Sequence, residues 1–308
     1  MIERIPASDL ASWLALRSLD VTASSAAALL NVHPFMSAYE LWALKSGRIS
    51  EDAEMTPAME RGQLLEPVAV TLLRRERPGW DIRHNTLPRQ VYYRDASVRL
   101  GATPDIIAMD PERGIGVVQV KTVEPSIFRQ KWHDENGDLQ PPIWIVIQAI
   151  IEAKLTGSSW AAVAPLVVGF GVEMPIIDVP IHDGVYERIA GEVKAFWQRI
   201  ADGIEPDPDY TRDDALLSRL GRGTNGEQID LSADNMMPGL LEERAELKGR
   251  IKVDTDRCKE IEGEIVAKIG PHESAFVPGW KIARPVISRK GYSVEPTQFR
   301  QLKISQSK

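Results

Sequence analysis

The sequence holds a single cysteine, Cys258, in 308 residues, so no disulfide can close within the chain and a reducing compartment suits it. Apolar runs are short. The longest, Ile143 to Ile147 and Trp160 to Val168, fall well under the roughly 20 residues that a membrane-crossing helix needs. The opening MIERIPASDLASW lacks the apolar core of a signal peptide, and the expectation is a cytoplasmic protein. Basic charge is not in excess either: 37 Lys and Arg against 44 Asp and Glu leave a net charge of −7. That excludes indiscriminate coating of nucleic acid by the whole surface. It leaves room for a local basic channel, because steering follows where charge lies rather than its sum. There is no Cys/His cluster for zinc and no internal repeat. What remains is an ordinary globular composition, long enough for one large domain with an appendage or for two modest domains.

The chain is most legible around LGATPDIIAMDPERGIGVVQVKT, residues 100–122. Two strand-like runs, Ala102 to Met109 and Gly116 to Val123, flank a polar turn of Asp110, Pro111, Glu112, Arg113 and Gly114. Asp105 follows Pro104 on the first run. Gln119 and Lys121 are two apart on the second, so the period of a strand points both to one face. An acid facing a polar–x–Lys pair on a neighbouring strand can gather metal ligands around a phosphate; a surface hairpin with scattered charges is the plainer alternative.

Around this hairpin the pattern predicts helix over residues 8–30, with a second start at Thr22-Ala-Ser-Ser where Thr22 or Ser24 caps, and a short helix over Ala38 to Lys45. Glu60 to Arg77 reads as a helix with Leu64, Leu65, Val68, Leu72 and Leu73 on one face. Pro67 marks a kink or a late start, which would put Glu66 near a helix N-terminus, where a carboxylate also complements the dipole. Strands are expected at residues 81–85, 89–93, 161–169 and 173–179. Helices are expected at 126–133, at 143–155 with Gln148 as one amide, and at 183–202. A polar side chain on so apolar a helix needs a partner, either structural or in a substrate. Three segments follow: 1–212 as the main domain, 213–235 as a Gly-rich polar linker, and 236–308 as a C-terminal helix with a small β unit. That helix carries Leu247, Ile251, Cys258, Ile261 and Ile265 as a heptad-like seam broken by Asp254, suited to a coiled coil, an antiparallel hairpin or docking.

Glu66, Asp105, Gln119 and Lys121 converge if the helix packs across the sheet. Oxygen donors of this kind suit Mg²⁺ or Mn²⁺. Such an ion activates water and stabilises the leaving oxygen, while Lys121 orients the water and offsets negative charge. The carbonyl of Val120 is a further candidate ligand at a sheet edge.

The string TPD…QVK resembles the PD-(D/E)XK nuclease signature. The wider order of blocks resembles the lambda-type alkaline exonucleases and YqaJ-type viral recombinases: WLALRSLDVTASSAAALL, RGQLLEP, YYRDASVRLGATPD, QVK, then Gln148, across about residues 13–210. The resemblance implies an α/β nuclease core, a mixed central sheet flanked by helices, with a helical and β appendage. It implies Asp105 as shared metal ligand, Glu66 as the helix-borne acid, Lys121 as catalytic lysine and the Val120 carbonyl as a further ligand. Arg17, Ser24 and Thr103 fall at positions that hold a terminal 5′-phosphate, and Gln148 at one close to the scissile nucleotide. It implies 5′→3′ digestion of one strand of linear duplex DNA, leaving 3′ tails for phage-type recombination. It also implies a ring-shaped homo-oligomer such as a trimer, a single-strand annealing partner, and phage or prophage origin.

Gln119 departs from this pattern, which has Glu or Asp there. Gln keeps a carbonyl acceptor but loses the charge, and its amide donors face a cation badly. Three histories fit: a substitution made to trap an uncleaved complex, an active natural variant, or a degenerate nuclease that binds DNA ends without cutting. With every other motif position intact, the pattern favours an isosteric Glu-to-Gln exchange. An endonuclease of the same superfamily and a structural phage protein are the rival readings.

Overall fold

The computed structural model describes residues 1–50, 56–221, 226–288, 291 and 304, in two compact units, 1–220 and 221–308. The first unit opens with β1 (Ile2–Ala7), α1 (Leu10–Ser18), β2 (Val21–Thr22), a 3₁₀ turn (Ala26–Leu30), α2 (Ala38–Lys45) and α3 (Pro57–Glu76). Then come β3 (Asp81–His84), β4 (Gln90–Asp95), β5 (Leu100–Ala102), β6 (Ile106–Asp110) and β7 (Gly114–Val123). It closes with α4 (Pro125–Lys131), α5 (Ile143–Thr156), β8 (Trp160–Val168), β9 (Val172–Glu173), β10 (Ile177–Val179), α6 (Asp183–Ala201) and α7 (Asp214–Leu220).

The large sheet runs β10-β8-β7-β6-β3, with β9 on β8. It is mixed: β7 and β8 are parallel, linked through α4 and α5, and the remaining pairs are antiparallel. Strand alternation sends Val118 and Val120 to one face, where Ala69, Val70 and Leu73 of α3 pack on them. Val117 and its neighbours Ala161 and Val163 face Ile145, Ala149 and Ala153 of α5. The opposite side of α5, through Ile147, Ile151 and Leu155, packs on the 3₁₀ turn, α6 and the small sheet β1-β4-β5-β2. Helix α5 is therefore buried all round, as its near-continuous apolar sequence requires. Each fully buried aliphatic side chain of this kind contributes about 1.5–3 kcal/mol. The expected fold class, a mixed sheet flanked by helices, is the one the chain adopts.

Several expectations shift. The strand expected over Ala102 to Met109 is two strands in two sheets, because Pro104 has no N–H to give a ladder. The helix over residues 8–30 divides as well. Asp9 caps α1, accepting from Ser12 N at 2.8 Å, and Thr22 enters β2 instead of capping; its hydroxyl lies 3.0 Å from those of Ser24 and Ser25. Helix α3 begins at Pro57 behind a Thr56 cap and continues through Pro67, so Glu66 is mid-helix and not near an N-terminus. The first unit runs beyond residue 212: the hydroxyl of Ser37 donates to the buried Asp213 at 2.6 Å, and Leu216 is buried. The expected linker, residues 213–235, thus begins inside packed structure, and its residues 222–225 lie outside the described ones.

The second unit holds α8 (Met237–Ile269) and a hairpin of β11 (Ser274–Val277) and β12 (Trp280–Ala283). Leu247, Ile251 and Ile261 of the seam are exposed on α8. After the hairpin, residues 289–290, 292–303 and 305–308 lie outside the described ones.

One buried ion pair ties α1 to the small sheet. Asp20, fully buried, accepts from Arg94 at 2.8 and 2.9 Å and from the Tyr92 hydroxyl at 3.1 Å. Gly101 makes room for Tyr92, since a Cβ there would collide with the tyrosine ring and hydroxyl. Removing one partner of such a pair strands the other. Asp20→Ala is expected to cost roughly 3–5 kcal/mol in urea unfolding of the full chain. A loss under about 1 kcal/mol would show the pair to be incidental.

Candidate active site

The site forms just ahead of β6. The strand's first residue, Ile106, pairs with Val118 of β7, so Asp105 lies one step before it, level with Gln119. On that side Val120 no longer has a strand partner. Its N–H donates to Asp105 Oδ2 at 2.9 Å, and the Gln119 amide donates to the same oxygen and, at 3.2 Å, to the Val120 carbonyl. Asn85 fixes this junction: its N–H donates to the Asp105 carbonyl at 2.9 Å, and its side-chain amide to the Pro104 carbonyl at 2.9 Å. The Val120 carbonyl is therefore on a central strand rather than at a sheet edge, and it is occupied by an amide rather than free.

Burial, and next the negative charge of Glu66, push the Asp105 carboxyl up to about 7, against the opposing pull of Lys121 and the Val120 N–H. Glu66 reaches toward the site from α3 and meets His84 of β3, Oε1 to Nε2, at 2.5 Å. Lys121 sits 5.6 Å over the ring of Trp144, in the first turn of α5. Gln119 is 2% exposed.

A cavity of about 600 Å³ adjoins this group, lined among others by Arg17, Ser24, His33, Lys121, Trp144 and Gln148. Arg17 stacks on the Trp13 ring at 4.6 Å, and Trp13 Nε1 donates to Thr103 at 3.0 Å. Thr103 thus supports the platform under Arg17 without lining the cavity. The structure brings Arg17, Ser24, Lys121 and Gln148 to one cavity, and gathers Glu66, Asp105, Gln119 and Val120 next to it.

Other residues carried no sequence signal or only a faint one. His33 lies against Trp144, ring centres 5.3 Å apart, and burial, then the charges of Arg212 and Lys121, hold its imidazole below the usual range. Glu152 is fully buried on α5, and Gln148 Nε2 donates to it at 2.9 Å. Burial first, and then the charge of Asp105, push the Glu152 carboxyl well above the carboxylate range. The i, i+4 spacing of Gln148 and Glu152 on an apolar helix was the one available hint. Asn85 and Trp144 read as ordinary turn and core residues.

Among the described residues no three His, Cys, Asp or Glu side chains cluster closely enough to hold a metal by themselves. The available donors are instead two or three carboxylates with amide and main-chain oxygens. Gln119 Oε1, Gln148 Oε1 and Glu152 Oε2 are all buried without a hydrogen-bond partner.

Residues 12–159 match the family described as the YqaJ-like viral recombinase domain. The protein YqaJ of Bacillus subtilis, itself uncharacterised, is 21% identical over 285 residues, 90% of this chain and 84% of that one. Among solved structures, an alkaline exonuclease from Laribacter hongkongensis is 22% identical, covers 68% of this chain and all of its own, and aligns with a TM-score of 0.45. A putative exonuclease from Eubacterium rectale is 15% identical over 71% of this chain and 94% of its own, with a TM-score of 0.40. The chain is thus similar to the YqaJ-like viral recombinase domain over residues 12–159, the stretch that holds Arg17, Glu66, Asp105, Gln119, Lys121 and Gln148.

Proposed function

We propose that the chain is a divalent-metal-dependent exonuclease that hydrolyses one strand of linear duplex DNA from its 5′ end, leaving 3′ single-stranded tails for recombination. One observation carries this reading: the charges of Glu66 and Lys121, from a helix and a strand far apart in sequence, both bear on the buried Asp105. Arg17 and Ser24 line the adjoining cavity, and the recombinase-domain match and the exonuclease relatives agree with the reading.

The donor set fits a hard cation such as Mg²⁺ or Mn²⁺: it is all oxygen, and it includes buried amide oxygens that lack hydrogen bonds. Asp105, Glu66, the Gln119 side-chain oxygen and the Val120 carbonyl would hold it, with Lewis-acid activation of water and charge compensation at the phosphate as its contribution. Lys121 orients the attacking water and offsets negative charge building on the phosphoryl oxygens. Gln148, on the cavity wall, lies close to the scissile nucleotide. Arg17 offers a planar fork to a terminal 5′-phosphate, the hydroxyl of Ser24 adds a neutral donor, and Thr103 holds the Trp13 ring on which Arg17 stacks. A site that seizes a terminal phosphate starts at an end and proceeds 5′→3′. The reading extends to a ring-shaped homo-oligomer around the duplex and a single-strand annealing partner, in the cytoplasm of a host cell.

A second reading is favoured by Gln119. Its amide donates to the very oxygens, of Asp105 and Val120, that a cation would take, and it brings no charge of its own. On that reading the chain binds DNA ends with cleavage impaired.

Digestion of linear duplex in Mg²⁺ or Mn²⁺, scored by release of nucleotides, tests both. Gln119→Glu is expected to raise the rate at least severalfold; an unchanged rate removes this account of position 119. Lys121→Ala is expected to abolish cleavage while the variant still binds a 5′-phosphorylated end, and normal digestion by it would show that Lys121 is not catalytic. A 5′-phosphate should be preferred over a 5′-hydroxyl by roughly 10–100-fold, the worth of charge-assisted bonds. Arg17→Ala should erase that preference. Cutting of closed circular DNA would point to an endonuclease instead.

A further inference from the structure

Five buried side-chain nitrogen or oxygen atoms among the described residues lack a hydrogen-bond partner, and three of them, Gln119 Oε1, Gln148 Oε1 and Glu152 Oε2, belong to residues around one spot. Each such atom has lost its water without gaining a partner, which is costly unless something is bound there. All three are oxygens, so what they lack is a donor or a cation. Their carriers adjoin. Gln148 and Glu152 are one turn apart on α5 and bonded to each other, while Gln119 lies on the face of β7 turned to α5 and is bonded to Asp105. Ala149 and Ala153, each next in sequence to one of the α5 pair, pack with Val117 and Val163 on that same face of the sheet. The charges of Asp105 and Lys121 both bear on Glu152.

A fully buried glutamate that forms no ion pair among the described residues is costly as a structural device in an apolar helix, since a buried charge with only a distant counter-charge destabilises the fold. Meanwhile Gln119 has no charge to give a cation, and Glu66 is engaged by His84. Magnesium-type sites use one or two carboxylates completed by substrate phosphate and water.

We propose that Glu152 supplies, from α5, the carboxylate that Gln119 does not supply from β7, and that it joins Asp105 and the side-chain oxygens of Gln119 and Gln148 in holding a divalent cation beside Lys121. The inference rests on the metal-dependent reading of the same site. It assigns a ligand role to a residue outside the strand-borne motif, and it explains how the site tolerates an amide at position 119.

The test is Mn²⁺ binding to the full chain, followed by the electron paramagnetic resonance signal of free Mn²⁺ and by melting in EDTA and in Mn²⁺. Glu152→Gln is expected to weaken Mn²⁺ binding at least tenfold and to remove most of the Mn²⁺-induced rise in Tm. In EDTA its Tm should equal or exceed the parent's, because a buried carboxyl has been neutralised. Glu152→Asp, which keeps the charge but withdraws it by one methylene, should lose affinity to an intermediate degree, and it keeps the test open if the amide variant fails to fold. The double variant Gln119→Glu/Glu152→Gln should recover the parent's affinity or better. Parent-like Mn²⁺ binding by Glu152→Gln, with binding lost in Asp105→Asn, would overturn the role of Glu152 and leave the nuclease reading standing. A double variant no better than Glu152→Gln would overturn the exchange of roles. A parent chain that binds no Mn²⁺ at millimolar concentration would end both.

Discussion

The site depends on one replacement of partners: just before β6 begins, the carboxylate of Asp105 accepts the Val120 N–H that an earlier start to the strand would have taken. The main-chain polar groups of a central strand cannot be left unpaired in a buried setting. Asp105 meets that demand with an oxygen that can also carry charge. Pro104 enforces the break, and Asn85 pins both sides of it through hydrogen bonds to the Pro104 and Asp105 carbonyls. The acid is therefore held rigidly by the same bonds that complete the sheet.

That placement has an electrostatic consequence. Asp105 is buried between the field of Glu66 on the α3 side and the field of Lys121 on the α5 side, and its own charge bears on Glu152. More carboxylate than ammonium is gathered there, and several oxygens are left without donors. Such an arrangement is strained when dry and relieved by positive charge, which is how a fold can store binding energy for a cation and a phosphate together. The stacked Arg17 and Trp13, with Thr103 beneath, give the adjoining cavity a second electropositive point.

The stability of the frame comes from elsewhere. Helix α5 is clamped between two sheets by apolar side chains on all sides, and the Asp20–Arg94–Tyr92 group locks the N-terminal helix to the small sheet. Packed in this way, α5 delivers its two buried polar residues, Gln148 and Glu152, to the face of β7 that carries Gln119.

Much of this was legible along the chain. Period-2 alternation put Gln119 and Lys121 on one face, the polar turn at residues 110–114 gave the hairpin, and the ordered blocks singled out Glu66, Asp105, Arg17, Ser24 and Gln148. These are local patterns, and local pattern is what backbone periodicity and turn chemistry write into a sequence. Other features depend on which elements meet, and no spacing encodes that: Pro104 dividing one expected strand between two sheets, Glu66 lying mid-helix against His84, Val120 sitting on a central strand, and His33, Trp144 and Asn85 joining the site. Glu152 shows the difference most clearly. The sequence determined that a glutamate would stand one turn beyond Gln148 on an apolar helix. Only the tertiary structure decided that it would be buried beside Asp105, because burial and electric field belong to the packed neighbours and not to the residue itself.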